Sequence, residues 1–159
     1  MTELERLADQ LHRALTGDPW YGPAIREILR GVAAKQASAR PVAGAHSIWE
    51  LVHHITSWLK MIDSAVHGKP LLPWPSPAME KFDWPRVTKT DAAGWVRAQR
   101  DLYDVGEKLR RSIRAFDPKR MRDKVPGRTS NFADALPGIV QHTVYHAGQI
   151  AILKNALKK

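Results

Sequence analysis

At 159 residues the chain has the size of one ordinary domain, long enough to bury roughly 68–70% of the surface its unfolded form exposes. A hydrophobic fraction of 43% and a charged fraction of 26% exclude a disordered chain, a collagen and a membrane bundle. The net charge of +9 is unevenly placed: residues 107–128 hold nine Lys/Arg against Glu107, Asp117 and Asp123, which leaves +6 in one segment.

That segment could meet nucleic acid, an anionic membrane surface or an acidic small molecule, or form an ordinary solvated helix face. Cysteine is absent, so disulfides, thiolate zinc sites and a cysteine nucleophile are excluded, and any metal must be held by His, Asp or Glu. No apolar run approaches the ~20 residues needed to span a bilayer. The start MTELERLADQ carries acids where a signal peptide needs basic and then apolar residues, so a cytoplasmic protein without membrane partners is expected.

Leu4, Leu7, Leu11 and Leu15 recur at helical spacing and predict a first helix over 3–15, stopped by Gly17-Asp18-Pro19. Pro23 suits the first turn of a short second helix through Ile25, Ile28, Leu29 and Val32. Trp20 and Tyr21, in the joint, are read as a cap on the core or as a pocket wall. Ser47 followed by Glu50 is a capping-box pattern, and the apolar repeat from Ile48 to Val66 predicts a helix of about five turns closed by Gly68 and Pro70.

Residues 67–90 carry five prolines with Trp74, Phe82 and Trp84 among them, the pattern of an irregular loop that is either functional or a stiff cover over the core. Asp91 then caps a long helix through Trp95, Leu102, Leu109 and Ile113 to Phe116. A last helix runs from about Ala133 to Leu157, with Pro137 acceptable only near its first turn. Strand signals are nearly absent, so the expected class is all-α: a four-helix bundle with a short extra helix near the N-terminus, one domain over residues 1–159.

The chemistry lies in the histidines. His54 falls in the apolar stripe of its helix, whereas His53 groups with Glu50, Ser57 and Lys60 on the polar side. His142 and His146 stand four residues apart, about 40° around the axis, and lean from one face of the last helix. Buried imidazoles need hydrogen-bond partners or an ion to offset desolvation. A lone inward His is usually a satisfied core residue; an i, i+4 pair with a third inward His is the ligand set of an open site for zinc, nickel or ferrous iron. The spacing HTVYH lacks the Glu of HExxH, which removes the zinc-peptidase reading. Gln149 could hydrogen-bond a ligand or pack the helix. Tyr145 and Trp58 fit an aromatic core better than a site wall, and His46 suits the surface better than a cleft mouth.

The segments DPWYGPAIREIL, HSIWELVHHITSW and QHTVYHAGQIAILK resemble, in order along nearly the whole chain, signatures of the DinB/YfiT-like family. In that pattern the metal ligands fall on His54, His142 and His146, the three that periodicity selects. The resemblance implies a bundle in up-down-down-up order, a divalent ion such as nickel or zinc, with iron also compatible, and often a homodimer. It implies a metal-dependent hydrolase or an S-transferase that uses a low-molecular-weight thiol such as bacillithiol or mycothiol on a small-molecule substrate. Without a cysteine of its own, the chain would need that thiol as a cosubstrate. A metal-stabilised structural or regulatory dimer is the alternative. A nucleic-acid module built on Lys108, Arg110, Arg111, Arg114, Lys119, Arg120, Arg122 and Lys124 lacks any accompanying binding motif.

Overall fold

Each long helix begins where a side chain satisfies its free amide groups. In the computed structural model, which describes residues 1–158, Thr2 caps α1 (Glu3–Leu15), Ser47 caps α4 (Ile48–Val66), Asp91 caps α6 (Ala92–Arg114) and Asn131 caps α7 (Phe132–Ala156). The Ser47 box is complete: Ser47 Oγ accepts from the Glu50 amide at 3.2 Å, and the Glu50 carboxylate accepts from the Ser47 amide at 2.8 Å. At the other end of α4, Gly68 takes φ +83°, its amide donates to the Ala65 carbonyl, and the Lys69 amide reaches the Ser64 carbonyl at 3.0 Å. This Schellman closure needs a residue that tolerates positive φ. Ser47→Ala should lower stability by about 1 kcal/mol and the melting temperature by roughly 2–4 °C; an unchanged thermal melt would mean that the box does not set where α4 starts.

Three short helices occupy the connections. The second predicted helix divides: α2 (Ile25–Leu29) ends at Arg30, Gly31 turns the chain at φ +76°, and α3 (Ala34–Ser38) follows. Pro23 precedes the Ala24 cap instead of opening the helix. The proline-rich segment after α4 is not wholly irregular, because Ser76 caps α5 (Pro77–Asp83) with Pro77 in its first turn, and the fully buried Met79 pins it to the core. Ser-Pro is a helix-start signal that the sequence did contain. Between α6 and α7 the basic stretch forms a 3-10 turn, Pro118–Arg122, and an isolated antiparallel bridge, Lys124–Asn131.

The long helices pack as a four-helix bundle in which α1 and α4 each lie against both α6 and α7. One hydrophobic cluster runs through it, from Leu4, Leu7 and Leu11 to Ile55, Leu59, Leu102, Leu109, Ile139 and Ile150. Gly106 lets α6 approach α1, since an added Cβ would run into Leu15. Pro137 stands at the sixth position of α7, deeper than the first turn, and the Ala133 carbonyl it leaves without an amide lies at an exposed residue where water can serve it. No helix among the described residues is long and apolar enough to cross a membrane.

Candidate metal centre

The apolar stripe of α4 that faces the core also carries His54, which is 5% exposed, and α7 faces it with His142 and His146 one turn apart. The three rings meet. His54 Nε2 lies 3.0 Å from His142 Nε2 and 3.1 Å from His146 Nε2. These three residues can together hold a metal ion.

The outer nitrogens decide the protonation of the inner ones. His54 Nδ1–H donates to the Asp83 carbonyl at 2.8 Å and also faces Asp83 Oδ1 at 3.1 Å. His146 Nδ1–H donates to Gln149 Oε1 at 2.7 Å. A neutral imidazole with its proton on Nδ1 has a bare lone pair on Nε2. Two such lone pairs therefore face each other at 3.1 Å, an arrangement that is repulsive until a cation or a shared proton enters it. His142 differs, because its Nδ1 is buried without a hydrogen-bond partner among the described residues. In a tetrahedral site with zinc–nitrogen bonds of about 2.0–2.1 Å, ligand nitrogens stand about 3.3–3.4 Å apart. The observed spacing is a few tenths of an ångström from that, so the donor set fits one ion.

Electrostatics point the same way. Burial, with the like charges that His146 and His54 would carry, pushes His142 down to about 3. His54 and His146 are also lowered, chiefly by burial, with the Asp83 carbonyl and Gln149 respectively opposing the shift. All three rings are thus neutral near pH 7, the form in which imidazole ligates a metal.

The walls come from a segment whose role the sequence did not disclose. Asp83 and Trp84 end α5, and Trp84 stacks on the face of His54 with centroids 3.9 Å apart while His46 stacks on Trp84 at 3.5 Å. Trp58 Nε1–H donates to Asp83 Oδ1 at 2.6 Å, which fixes the carboxylate against His54. Trp58 is therefore a half-buried wall of the centre as well as a member of the core stripe.

Other assignments shift. His53 is half-buried and accepts from Trp49 Nε1 at 3.1 Å, and Ser57 beside it is buried, so that side of α4 is not a plain polar face. Tyr145 touches His146 edge-on but is 65% exposed, and Trp20 is 99% exposed, so neither belongs to the core. Trp20, Tyr21 and Tyr145 line a cavity of about 850 Å³ between α1 and α7, which none of the three clustered histidines reaches. His46 sits at the half-exposed rim, 3.7 Å from the Glu50 carboxylate.

Comparison with known proteins bears on the family of the chain. The family model described as DinB superfamily matches residues 23–150, a stretch that contains all three histidines and Asp83. No curated protein and no solved structure matches the chain.

Proposed function

The chain belongs to the DinB superfamily, and from that premise we propose that it is a metal-dependent enzyme in which His54, His142 and His146 hold one divalent ion. The observation that carries the reading is the pair of bare Nε2 lone pairs aimed at each other by outer hydrogen bonds to Asp83 and Gln149. Partners of this kind set ligand orientation in metal sites generally.

A bound zinc, nickel or ferrous ion supplies a lowered pKa to a coordinated water or thiol. The protein's part is to orient and to exclude. Asp83 and Gln149 keep the inner nitrogens unprotonated, while Trp84 and Trp58 cover the cluster and keep bulk water from two of its sides. The ion's own protein ligands number three, which leaves room for a reactant. A cavity of about 370 Å³ reaches His142, and this favours an accessible centre over an ion that only ties helices together. Hydrolysis and transfer of an external low-molecular-weight thiol are the two reactions this centre suits, the thiol being external because the chain has no cysteine.

Metal analysis of untagged protein is expected to find about one equivalent of zinc, nickel or iron, and none in a His54→Ala/His142→Ala/His146→Ala variant. Metal retained by the triple variant, or absent from native protein after reconstitution, would overturn the proposal. Turnover of electrophiles that depends on an added thiol then separates transferase from hydrolase.

A further inference from the structure

The cavity beside His142 is small, about 370 Å³, within the range of roughly 300–1,000 Å³ usual for small-molecule sites. Its wall is apolar where Trp58 and Ile62 of α4, Leu71, Val125 and Ile139 of α7 meet. Three polar residues also line it: His142, Ser130 and Arg128.

Arg128 is the one cationic residue of that lining. Its guanidinium makes no ion pair among the described residues, and its one hydrogen bond runs from Nη1 to the neighbouring Gly127 carbonyl at 2.8 Å. Within the basic segment Lys108 pairs with Asp63 at 2.9 Å, Arg110 with Glu107 at 2.7 Å and Arg120 with Asp123 at 3.4 Å, and of the cations outside these pairs Arg128 is the one that lines the cavity.

The backbone that carries Arg128 is locked against the same wall. Pro126 and Gly127, with Gly127 at φ +79°, form the centre of a turn closed by the Arg128 amide on the Val125 carbonyl at 2.9 Å. The Leu71 amide donates to the Pro126 carbonyl at 2.9 Å, and a Cβ on Gly127 would come within 2.9 Å of the Leu71 carbonyl oxygen. The Val125 amide donates to the Ser130 carbonyl, also at 2.9 Å. A guanidinium without an acid partner, on a rigid turn at an apolar cavity, is built to receive an oxyanion, for which its planar fork is the best side chain.

We infer that this cavity binds a small organic acid, its apolar body against Trp58, Ile62 and Ile139, its carboxylate on Arg128, and its other end toward His142. The inference rests on the metal reading in one respect, since it takes His142 as the reactive end of the cavity. It names the substrate class that the centre would serve. It also gives a role to part of the excess positive charge in residues 107–128.

The test uses 3-phenylpropanoate as the probe, with 3-phenylpropan-1-ol and 3-phenylpropylamine as its neutral and cationic counterparts and inorganic phosphate as a bare anion. Binding is followed by calorimetry on the full chain, metal-free and zinc-loaded. The acid is expected to bind the metal-free protein about tenfold or more tightly than the alcohol, and the amine and phosphate more weakly still. Arg128→Gln should bring the acid down to the level of the alcohol without changing the alcohol, and Arg128→Lys should restore part of the difference. Equal affinity of native and Arg128→Gln protein for the acid, or no saturable binding of it, overturns the inference. Binding that needs zinc and ignores Arg128→Gln puts the carboxylate on the ion: it overturns the inference and leaves the metal reading standing. Arg128-dependent binding by a chain that takes up no metal does the reverse.

Discussion

Saturating the metal-free chain with zinc or nickel is expected to raise its melting temperature by roughly 8–16 °C, and His142→Ala is expected to lose that rise entirely. An ion that binds only the folded state stabilises it by about 4.1 kcal/mol at a thousandfold excess over its dissociation constant. For a chain of this size each kcal/mol moves the midpoint by roughly 2–4 °C. His142 is the sharpest choice of the three because its outer nitrogen has no partner, so its removal leaves the outer hydrogen bonds of His54 and His146 in place. Asp83→Asn should give an intermediate result. It keeps the backbone carbonyl that receives His54 Nδ1–H but loses the carboxylate charge beside it, and loss of such an orienting group weakens metal binding by about 10–100-fold. About half of the metal-induced rise should then survive at the same free metal concentration. The readout is a thermal melt of each variant with and without metal. A full rise in His142→Ala would remove that residue from the ligand set, and a full rise in Asp83→Asn would confine Asp83 to a packing role.

The second large effect is on acid stability without metal. His142 is held down to about 3 by burial and by its two histidine neighbours, and His54 and His146 are lowered chiefly by burial. In the unfolded chain the same rings titrate near the ordinary value of about 6.5. Below that pH the unfolded state binds more protons than the folded one, so stability falls with falling pH. The stabilisation is fully present above about pH 6.5 and is lost progressively as the pH drops toward the folded values. Each ring contributes at most about 1.4 kcal/mol per pH unit, and less for His142, which is only half-buried. Urea midpoints should be compared between pH 7 and 5, above the range where the carboxylates of Asp63 and Glu50, both lowered from their ordinary values, begin to take up protons. Metal-free native protein should weaken steadily over that interval, and His142→Ala should weaken less. Identical slopes for the two would mean that His142 is not kept neutral by its surroundings.

Which residues disclosed themselves in the sequence follows from how far their causes reach. The Ser47 box, the Asp91 cap and the leucine repeat of α1 act within one or two turns, and the structure has each of them where local spacing puts it. Periodicity also sufficed to turn His54, His142 and His146 inward, because a helix buries a stripe whatever it packs against. Trp20 shows where such reasoning stops: a large aromatic beside a helix end suggests a core cap, yet the chain buries Pro19 and turns Trp20 outward. Tyr145 is next to His146 in sequence, but one residue along a helix is about 100° of rotation, enough to bring it to the surface.

Asp83, Trp84 and Arg128 are the residues that only the tertiary structure supplied. Asp83 meets His54 across 29 positions of sequence, through a short helix held in place by Met79, and no local pattern encodes that distance. Arg128 was one basic residue among nine in its segment until the turn at Pro126-Gly127 docked on Leu71 and brought it to the cavity of His142. The amino-acid sequence by itself determined the helices, their buried faces and the three candidate ligands, since these depend on capping and periodicity within single elements. The folded bundle decided that the ligands converge, which nitrogens are left bare and what stands around them, because those are contacts between elements far apart in the chain, formed only when the whole core packs.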